Sequence, residues 1–240
     1  MRALIVLPTY QESANIAEVI RRAHEAVPSA SILVVDDSSP DHTAEIAEEA
    51  GAQFGVVEVM RRPGKSGLGS AYRDGFRRGL ADGFDVLIEM DSDLSHDPSV
   101  LPSLIEGIAA GADLVIGSRY VEGGSIPDWT WHRRALSRWG NRYASWVLGI
   151  DVLDSTSGYR AYRSDLLAKV DFHTVKADGY GFQIEMAYRV LGAGGRVAEV
   201  PISFVDRARG TSKMSSRIVF EAMFLVTWWG IRDRLLRKRR

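Results

Sequence analysis

The first 120 residues alternate short aliphatic runs with longer amphipathic segments, and this pattern constrains the fold more than any other feature of the chain. Short aliphatic runs predict buried strands, and segments with apolar residues three or four apart predict helices. Strands that alternate with helices favour βαβ units and a mainly parallel sheet. The predicted strands are Ala3–Leu7, Ile32–Asp36, Val56–Met60, Val86–Met90 and Leu114–Gly117, and the predicted helices are Ser13–Ala26, Asp41–Ala50, Leu68–Ala81 and Ser99–Ala110.

Beyond residue 120 this alternation weakens. A loop rich in glycine and proline at residues 122–127 leads into a helix rich in tryptophan and arginine that runs to Ile150. Irregular segments are expected next, and an apolar helix ends the chain. With 45% hydrophobic and 25% charged side chains over 240 residues, the chain has the composition of one globular α/β domain with a modest tail.

The sequence excludes several kinds of site and segment. There is no cysteine, so a metal would have to bind oxygen or histidine ligands. The five histidines are scattered, and we expect none to be a ligand or a base. The apolar run at the start is too short for a signal peptide. The longest apolar run, residues 218–231, contains Glu221 and falls short of the roughly 20 residues that cross a bilayer, so neither export nor a transmembrane helix is predicted.

Charge is unevenly distributed along the chain. Residues 1–128 carry 10 Lys+Arg against 21 Asp+Glu, whereas residues 129–240 carry 20 against 10. The basic half can face phosphate, nucleic acid or a lipid surface, or the two halves can compensate each other within the fold. No nucleic-acid-binding module accompanies the basic residues, so nucleic acid is not an expected partner.

Polar side chains follow three of the predicted strands, at residues 8–12, 36–39 and 91–93. Open α/β sheets bind their ligands at such strand ends. Asp91 and Asp93 are two residues apart, so both carboxylates can approach Mg²⁺ or Mn²⁺, which commonly bridges a nucleotide diphosphate. An isolated Asp-x-Asp is more typical of a solvated turn than of a metal site. Here the apolar strand before it and the second acidic strand end favour a metal site.

The glycine-rich segment at residues 64–69 fits no nucleotide motif completely. A P-loop would need glycine at Val59, and the glycine spacing differs from the dinucleotide fingerprint. We expect its backbone to approach a nucleotide at the N terminus of a helix.

Taken together, the motifs resemble those of the dolichyl-phosphate, or polyprenol-phosphate, mannose synthases. These are inverting family 2 glycosyltransferases of GT-A fold, a Rossmann-like, mainly parallel sheet flanked by helices. The resemblance covers nearly the whole chain, and residues 204–207 followed by 210–213 are the part most specific to polyprenyl-phosphate sugar synthases. The other matching segments are residues 7–12, 35–41, 90–96, 117–120, 157–160, 181–186 and 200–203.

The resemblance implies a role for each matching residue. Asp91, Ser92 and Asp93 would hold metal and diphosphate, with Ser95 as a shorter and weaker metal ligand than the glutamine of some relatives. Arginines suit phosphate because they donate two parallel hydrogen bonds. The implied nucleoside-binding residues are Pro8, Tyr10, Glu12, Val35 and Asp37; the cations for donor and acceptor phosphates are Arg119, Arg133, Arg207 and Lys213, with Ser212 at the acceptor phosphate; and the catalytic residues are Asp91, Asp93, Arg119 and Arg207.

The implied reaction is hexosyl transfer. Mannose would pass from GDP-mannose to polyprenyl or dolichyl phosphate with inversion, giving β-linked polyprenyl-phosphate mannose, with Mg²⁺ or Mn²⁺ as cofactor. The residues leave open a UDP-glucose or other UDP-sugar donor with the same acceptor, a nucleotide-sugar hydrolase, and a non-catalytic nucleotide-binding scaffold. The expected catalytic domain is residues 1–217, of which about 1–120 bind the nucleotide and about 121–217 bind the acceptor.

Two segments mix aromatic or apolar residues with basic ones. The first covers residues 129–147, and the second is the C-terminal helix of residues 218–240 with its basic end. Such helices lie in a lipid headgroup layer, although a core helix with a charged tail has the same pattern. We expect a peripheral protein on the cytoplasmic face of the membrane. A membrane-anchor subunit or an acyltransferase is a further partner that the resemblance implies.

Overall fold

The computed structural model describes residues 1–206 and 216–237, except for the side chains of 216–220 and 233–237. Its centre is a seven-stranded sheet in the order β3-β2-β1-β4-β6-β5-β7. β6 is antiparallel to both of its neighbours, and the other pairs are parallel. The strands are β1 Ala3–Thr9, β2 Ser31–Asp36, β3 Val57–Arg61, β4 Val86–Glu89, β5 Leu114–Ser118, β6 Arg160–Arg163 and β7 Val197–Pro201.

Helices cover both faces of the sheet. Short 3₁₀ turns at Pro98–Val100 and Phe172–Thr174 supplement them. No helix in the described ranges is long and apolar enough to cross a bilayer. The α-helices are α1 Ile16–Ala26, α2 Thr43–Ala52, α3 Leu68–Ala81, α4 Leu101–Ala109, α5 Trp131–Leu148, α6 Ser164–Leu167, α7 Tyr180–Gly192 and α8 Ser216–Arg237.

Alternate side chains of each central strand serve two cores, one on each face of the sheet. In β1, Ile5 and Leu7 pack with α1 and α4, whereas Leu4 and Val6 pack with α3 and α7. Each fully buried aliphatic side chain of this kind contributes about 1.5–3 kcal/mol. Burial on both faces explains why the strands read as continuous aliphatic runs rather than as alternating ones.

A third, smaller cluster joins α8 to the domain. Val226 and Trp229 of α8 are buried with Ala144 of α5 and Ile184 of α7. The hydroxyls of Tyr143 and Thr227, 2.7 Å apart, form a hydrogen bond between α5 and α8. The inner side of α8 is therefore part of the packed protein, and the predicted boundary between residues 217 and 218 stays a prediction.

The predicted α/β fold and its mainly parallel sheet are confirmed. All five predicted strands and four predicted helices are present, with ends within three residues of those expected. Helix α1 begins at Ile16 rather than Ser13 because the Glu12 carbonyl first closes a turn with the amides of Asn15 and Ile16. The expectation of irregular segments after α5 is wrong, since this region forms β6, α7 and β7.

Candidate active site

The polar ends of β1, β2 and β4 meet at one edge of the sheet, as the sequence predicts. β1 pairs in parallel with β2 on one side and with β4 on the other. The chain thus adds strands on opposite sides of β1, and open α/β sheets bind ligands at the strand ends of such a crossover. The loops after these strands frame one crevice, which is the candidate active site.

The turn after β4 carries the two acidic residues in different settings. The side chain of Asp91 is 30% exposed. Asp93 is buried, and its Oδ1 accepts hydrogen bonds from the amide of Ser95 at 3.0 Å and from the Ser95 hydroxyl at 2.5 Å. The Ser92 hydroxyl donates to the Pro8 carbonyl at 3.0 Å and ties the turn to β1. Asp91, whose Oδ1 accepts from the Tyr72 hydroxyl at 3.4 Å, is therefore the more exposed carboxylate, while Asp93 and Ser95 hold the turn in shape.

His96 supports the same turn from the protein interior. It is buried, and its Nδ1 accepts a hydrogen bond from the Asp91 amide at 3.3 Å. Its ring stacks on Tyr159 and meets Phe204 edge to face. Burial lowers the pKa of His96 to about 4, so the ring is neutral at neutral pH. His96 is a positioning residue that the sequence did not single out.

The fit of a metal can be judged from the oxygens available. Divalent cations of this type take several oxygen ligands. In the described part of the chain, no three histidine or carboxylate side chains converge to hold one. A methyl group at Gly158 would lie 3.9 Å from each Asp91 carboxylate oxygen and 3.5 Å from Gln183 Nε2, so glycine leaves room there. The site fits a cation bound by Asp91 that takes its other ligands from a diphosphate and water. Coordination by Asp93 and Ser95 stays a prediction.

Three of the predicted nucleoside residues, Tyr10, Glu12 and Asp37, lie in the loops after β1 and β2, whereas Pro8 and Val35 lie within those strands. Tyr10 lies partly buried after β1, with Lys65 Nζ 4.1 Å from its ring centroid. Glu12 is also partly buried and accepts a hydrogen bond from Asn15 at 2.9 Å. Val35 lies wholly inside the core, so its side chain does not face the crevice. Lys65 is a cation of this crevice that the sequence analysis did not assign.

Asp37 has a structural partner in the loop after β3. Its Oδ1 lies 2.5 Å from Arg62 Nη1, and its Oδ2 accepts from the Ser66 amide at 3.1 Å. Arg62 is buried and also contacts Asp74 at 3.0 Å. Asp37 thus fastens the loop of residues 62–66 beside the crevice, and its predicted contact with a base or ribose stays a prediction.

The N terminus of α3 is occupied by a protein carboxylate. Asp178 accepts a hydrogen bond from the Gly69 amide at 3.2 Å, and a methyl group at Gly67 would lie 2.7 Å from its Oδ2. A helix N terminus binds a negative group, and Asp178 supplies one here. The expected approach of a nucleotide to the backbone of this segment stays a prediction.

Arg119, predicted to bind phosphate, makes a buried ion pair with Asp154. Its Nε lies 2.7 Å from Asp154 Oδ2 and its Nη2 lies 2.6 Å from Asp154 Oδ1. Burial opposes both charges, but their mutual attraction outweighs it, so the pKa of Asp154 lies below its usual range and the pKa of Arg119 above. The predicted phosphate contact stays a prediction, and it would have to share or replace these bonds.

Arg133 lies near the start of α5 and contacts Asp206. Its Nη1 is 3.0 Å from Asp206 Oδ2, and its guanidinium carbon is 3.9 Å from the ring centroid of Trp129. The Trp129 indole donates to the other Asp206 oxygen at 2.9 Å. These contacts fix Asp206, the residue that precedes Arg207 in the chain. Arg207, Ser212 and Lys213 lie outside the described residues, and their roles stay predictions.

Comparison with known proteins identifies the family. Residues 4–171 match the family described as Glycosyl transferase family 2. This chain belongs to that family. It is 49% identical over 99% of its length to a polyprenol monophosphomannose synthase of Mycolicibacterium smegmatis, with 90% of that protein covered. It is 47% identical over 98% of its length to an undecaprenyl-phosphate mannosyltransferase of Micrococcus luteus, with 96% covered.

More distant relatives agree with the fold of this family 2 glycosyltransferase. A dolichol-phosphate mannosyltransferase of Pyrococcus furiosus is 37% identical over 99% of the chain and 67% of that protein. Among solved structures, glucosyl-3-phosphoglycerate synthase from Mycobacterium tuberculosis in complex with Mn²⁺, UDP and phosphoglyceric acid has a TM-score of 0.70. At 21% identity, covering 95% of this chain and 78% of that one, the likeness shows the shared fold.

A buried polar network behind Asp91 also escaped the sequence analysis. Arg160 is wholly buried and donates to the carbonyls of Ser155, Ser157 and Gln183 at 2.7 Å each. Gln183 Nε2 donates to Glu89 at 2.8 Å. Burial raises the pKa of Glu89 to about 7, although the nearby charge of Arg160 opposes that rise. The network fixes α7 against β4, so Gln183 faces the site while Glu185 pairs with Arg189 on α7.

Proposed function

We propose that this glycosyltransferase moves mannose from GDP-mannose to the phosphate of a membrane polyprenol, with inversion, and forms β-linked polyprenyl-phosphate mannose. Two polyprenyl-phosphate mannosyltransferases related along nearly their whole length support this assignment. The observation that carries it in the structure is the partly exposed carboxylate of Asp91 at the crossover between β1 and β4, where a nucleotide diphosphate would lie.

A divalent cation, Mg²⁺ or Mn²⁺, would be held by Asp91 beside the space that Gly158 leaves. When bound, such an ion neutralises charge on the departing diphosphate. The Mn²⁺ in the M. tuberculosis synthase structure supports a divalent ion at a site of this fold. Asp93 contributes by keeping the turn closed around Ser95.

The acceptor would arrive as a ready nucleophile. A phosphate monoester has a second pKa of about 6 and is largely dianionic at neutral pH. Its oxygen needs no base, and positioning by cations is sufficient. Arg133 is the cation whose ion pair with Asp206 is partly exposed to solvent, with side-chain exposures of 39% and 45%, so an incoming phosphate can compete for it. Arg207, Ser212 and Lys213 complete the proposed set.

We also propose that α5 and α8 dock on the membrane surface. Trp131, Trp139 and Trp146 of α5 are exposed, and so are Phe224, Trp228 and Ile231 of α8. The two helices pack side by side, and we propose that their exposed aromatic side chains form one surface. Indole rings of this kind prefer the interface between lipid and water. The acceptor's lipid chain would remain in the bilayer while its phosphate reaches the crevice.

A donor panel tests the assignment. The full chain would be incubated with polyprenyl phosphate, a divalent metal and either GDP-mannose or UDP-glucose, and the lipid product identified by mass. We expect a mannosyl product and far less glucosyl product. A preference for UDP-glucose would overturn the donor, and donor consumption without a lipid product would indicate a hydrolase.

A further inference from the structure

A cavity of about 230 Å³ lies beside the first turns of α5, outside the predicted phosphate set except for Arg119. Two further arginines, Arg134 and Arg138, line it, and none of its lining side chains is acidic. The charge of Arg119 is offset by Asp154, so Arg134 and Arg138 give the cavity its positive charge. The remaining lining residues are Tyr120, Gly124, Ser125, Ile126 and Pro127.

The contacts that position the side chains of Arg134 and Arg138 involve no carboxylate among the described residues. Arg134 donates its Nε to the Trp129 carbonyl at 2.9 Å, which leaves its terminal nitrogens available. The guanidinium carbon of Arg138 lies 5.4 Å from the ring centroid of Tyr120, whose hydroxyl is in turn bonded to Ser137 at 2.7 Å. Within the described side chains, neither arginine forms an ion pair. Two oriented guanidinium groups that have N–H groups available to donate hydrogen bonds are suited to binding a phosphate.

The opposite wall of the cavity is fixed by backbone hydrogen bonds. The Ser125 amide donates to the Ile202 carbonyl at 2.9 Å, and the Phe204 amide donates to the Ser125 carbonyl at 3.0 Å. Gly124 lies so close to β5 that an added methyl group would meet the Ser118 carbonyl at 2.7 Å. The loop therefore closes the cavity in one conformation, which lowers the entropic cost of binding a ligand.

The position of the cavity indicates which anion it binds. Trp131 lies three residues before Arg134 and seven before Arg138, so the three share one side of α5. Trp131 is 77% exposed, and it belongs to the surface proposed above to face the membrane. An exposed indole adds nothing to the binding of a phosphate ion in water. It can contact the acyl chains of a phospholipid whose phosphate lies in the cavity, so the neighbouring Trp131 favours a lipid phosphate.

We infer that the cavity of Arg134 and Arg138 binds the phosphate of an anionic phospholipid headgroup and thereby orients the enzyme on the membrane. The cavity shares Arg119 with the predicted acceptor phosphate set, whereas Arg134 and Arg138 lie outside that set. The inference rests on the proposed membrane docking of α5 but requires no particular sugar donor.

Vesicle flotation of the full chain tests it, with phosphatidylcholine vesicles and vesicles containing one third phosphatidylglycerol. Arg138→Gln is compared with Arg142→Gln, which removes the same charge one turn later on α5 and does not line the cavity. We expect Arg138→Gln to lower binding to the anionic vesicles about fivefold, and Arg142→Gln to lower it clearly less. Equal losses would overturn a specific site.

A second variant separates a phosphate site from general charge attraction. Arg134→Lys/Arg138→Lys keeps both charges but loses the paired donors of guanidinium. We expect this variant to lose most of the preference for phosphatidylglycerol, with unchanged thermal unfolding. Binding equal to that of the wild type would overturn the inference, as would a wild-type chain that binds both vesicles equally.

An assay with detergent-dispersed polyprenyl phosphate distinguishes the two sources of phosphate. For a headgroup site we expect Arg138→Gln to keep the wild-type KM for the acceptor. A raised KM would assign the cavity to the acceptor phosphate and overturn the inference. Flotation measures vesicle binding and needs no turnover. The vesicle result could therefore be interpreted even if the proposed mannosyl transfer did not occur.

Discussion

Arg119 and Asp154 form a buried ion pair with two parallel hydrogen bonds, of 2.7 and 2.6 Å. The sequence shows neither the pairing nor the burial, because the partners are 35 residues apart and belong to segments without a shared motif. The pair connects the loop after β5 with the segment before β6, directly beside the candidate acceptor residues. The primary role of this ion pair is structural.

Removing one partner of this pair should destabilise the protein strongly. Asp154→Asn leaves the Arg119 charge buried without its counterion, and we expect a loss of about 3–5 kcal/mol in the free energy of unfolding. Arg119→Met/Asp154→Leu should cost less than Asp154→Asn, because it removes both charges. Urea denaturation measures all three proteins. An Asp154→Asn variant as stable as the wild type would contradict the account.

The same pair predicts a pH dependence. The pKa of Asp154 is depressed in the folded protein, so its stabilising effect is present above the unfolded value of about 3.9 and is lost as pH falls through the folded value. We expect the difference in unfolding free energy between wild type and Asp154→Asn to be constant near neutrality and to shrink in acid below about pH 4. A difference that grows in acid would contradict the assignment.

The two aspartates after β4 should differ on substitution. Asp91→Asn removes the partly exposed carboxylate, and we expect turnover to fall at least about 100-fold with little loss of stability. Asp93→Asn weakens the hydrogen bonds from Ser95, so it should also destabilise the fold, by about 1–3 kcal/mol. Turnover at saturating metal and thermal unfolding separate the two. Near-wild-type turnover of Asp91→Asn would remove it from the site.

Gly158 should be required for room rather than for backbone conformation. Gly158→Ala places a methyl group in ordinary contact with Gln183 and 3.9 Å from the Asp91 carboxylate oxygens, so the protein should fold. We expect turnover to fall about tenfold, because the methyl group enters the space proposed for metal and diphosphate. Gly192→Ala, with no atom within 4 Å of the added methyl, is the matched control. Equal activity of both variants would contradict this.

The membrane surface can be tested without disturbing the core. Deleting residues 218–240 would also remove Val226 and Trp229, which are buried against α5 and α7. Phe224→Gln/Trp228→Gln changes only exposed positions of α8, and we expect it to weaken flotation with vesicles while unfolding stays unchanged. Trp229→Ala, in contrast, should cost about 3–5 kcal/mol in stability. Undiminished flotation of the double variant would exclude α8 as a docking element.

The sequence predicts the first half of the fold well because strands buried on both faces leave aliphatic runs that are easy to recognise. β6 leaves no such signal. It is four residues long and begins and ends with arginine, and Arg160 is buried only because three carbonyls and Glu89 surround it. Contacts of this kind form between distant segments, so periodicity does not reveal them.

The candidate site likewise contains residues that the sequence predicts and residues whose environment it does not predict. Asp91 is predictable because an acidic residue follows an aliphatic strand, and strand ends are where open sheets bind ligands. Asp93 is buried and accepts hydrogen bonds from Ser95 across Leu94, which has a positive φ, and no spacing in the sequence encodes this turn. Similarly, Val35 follows the family motif, yet its side chain belongs to the core.

The most direct test of the central claim compares two acceptors with GDP-mannose as donor: polyprenyl phosphate and the matching free polyprenol. The lipid products would be identified by mass and the anomeric configuration by NMR. The account predicts a β-linked mannosyl phosphate lipid from the first and no product from the second, because the phosphate oxygen needs no base. Efficient mannosylation of the free alcohol, or no mannosyl lipid from the phosphate, would contradict it.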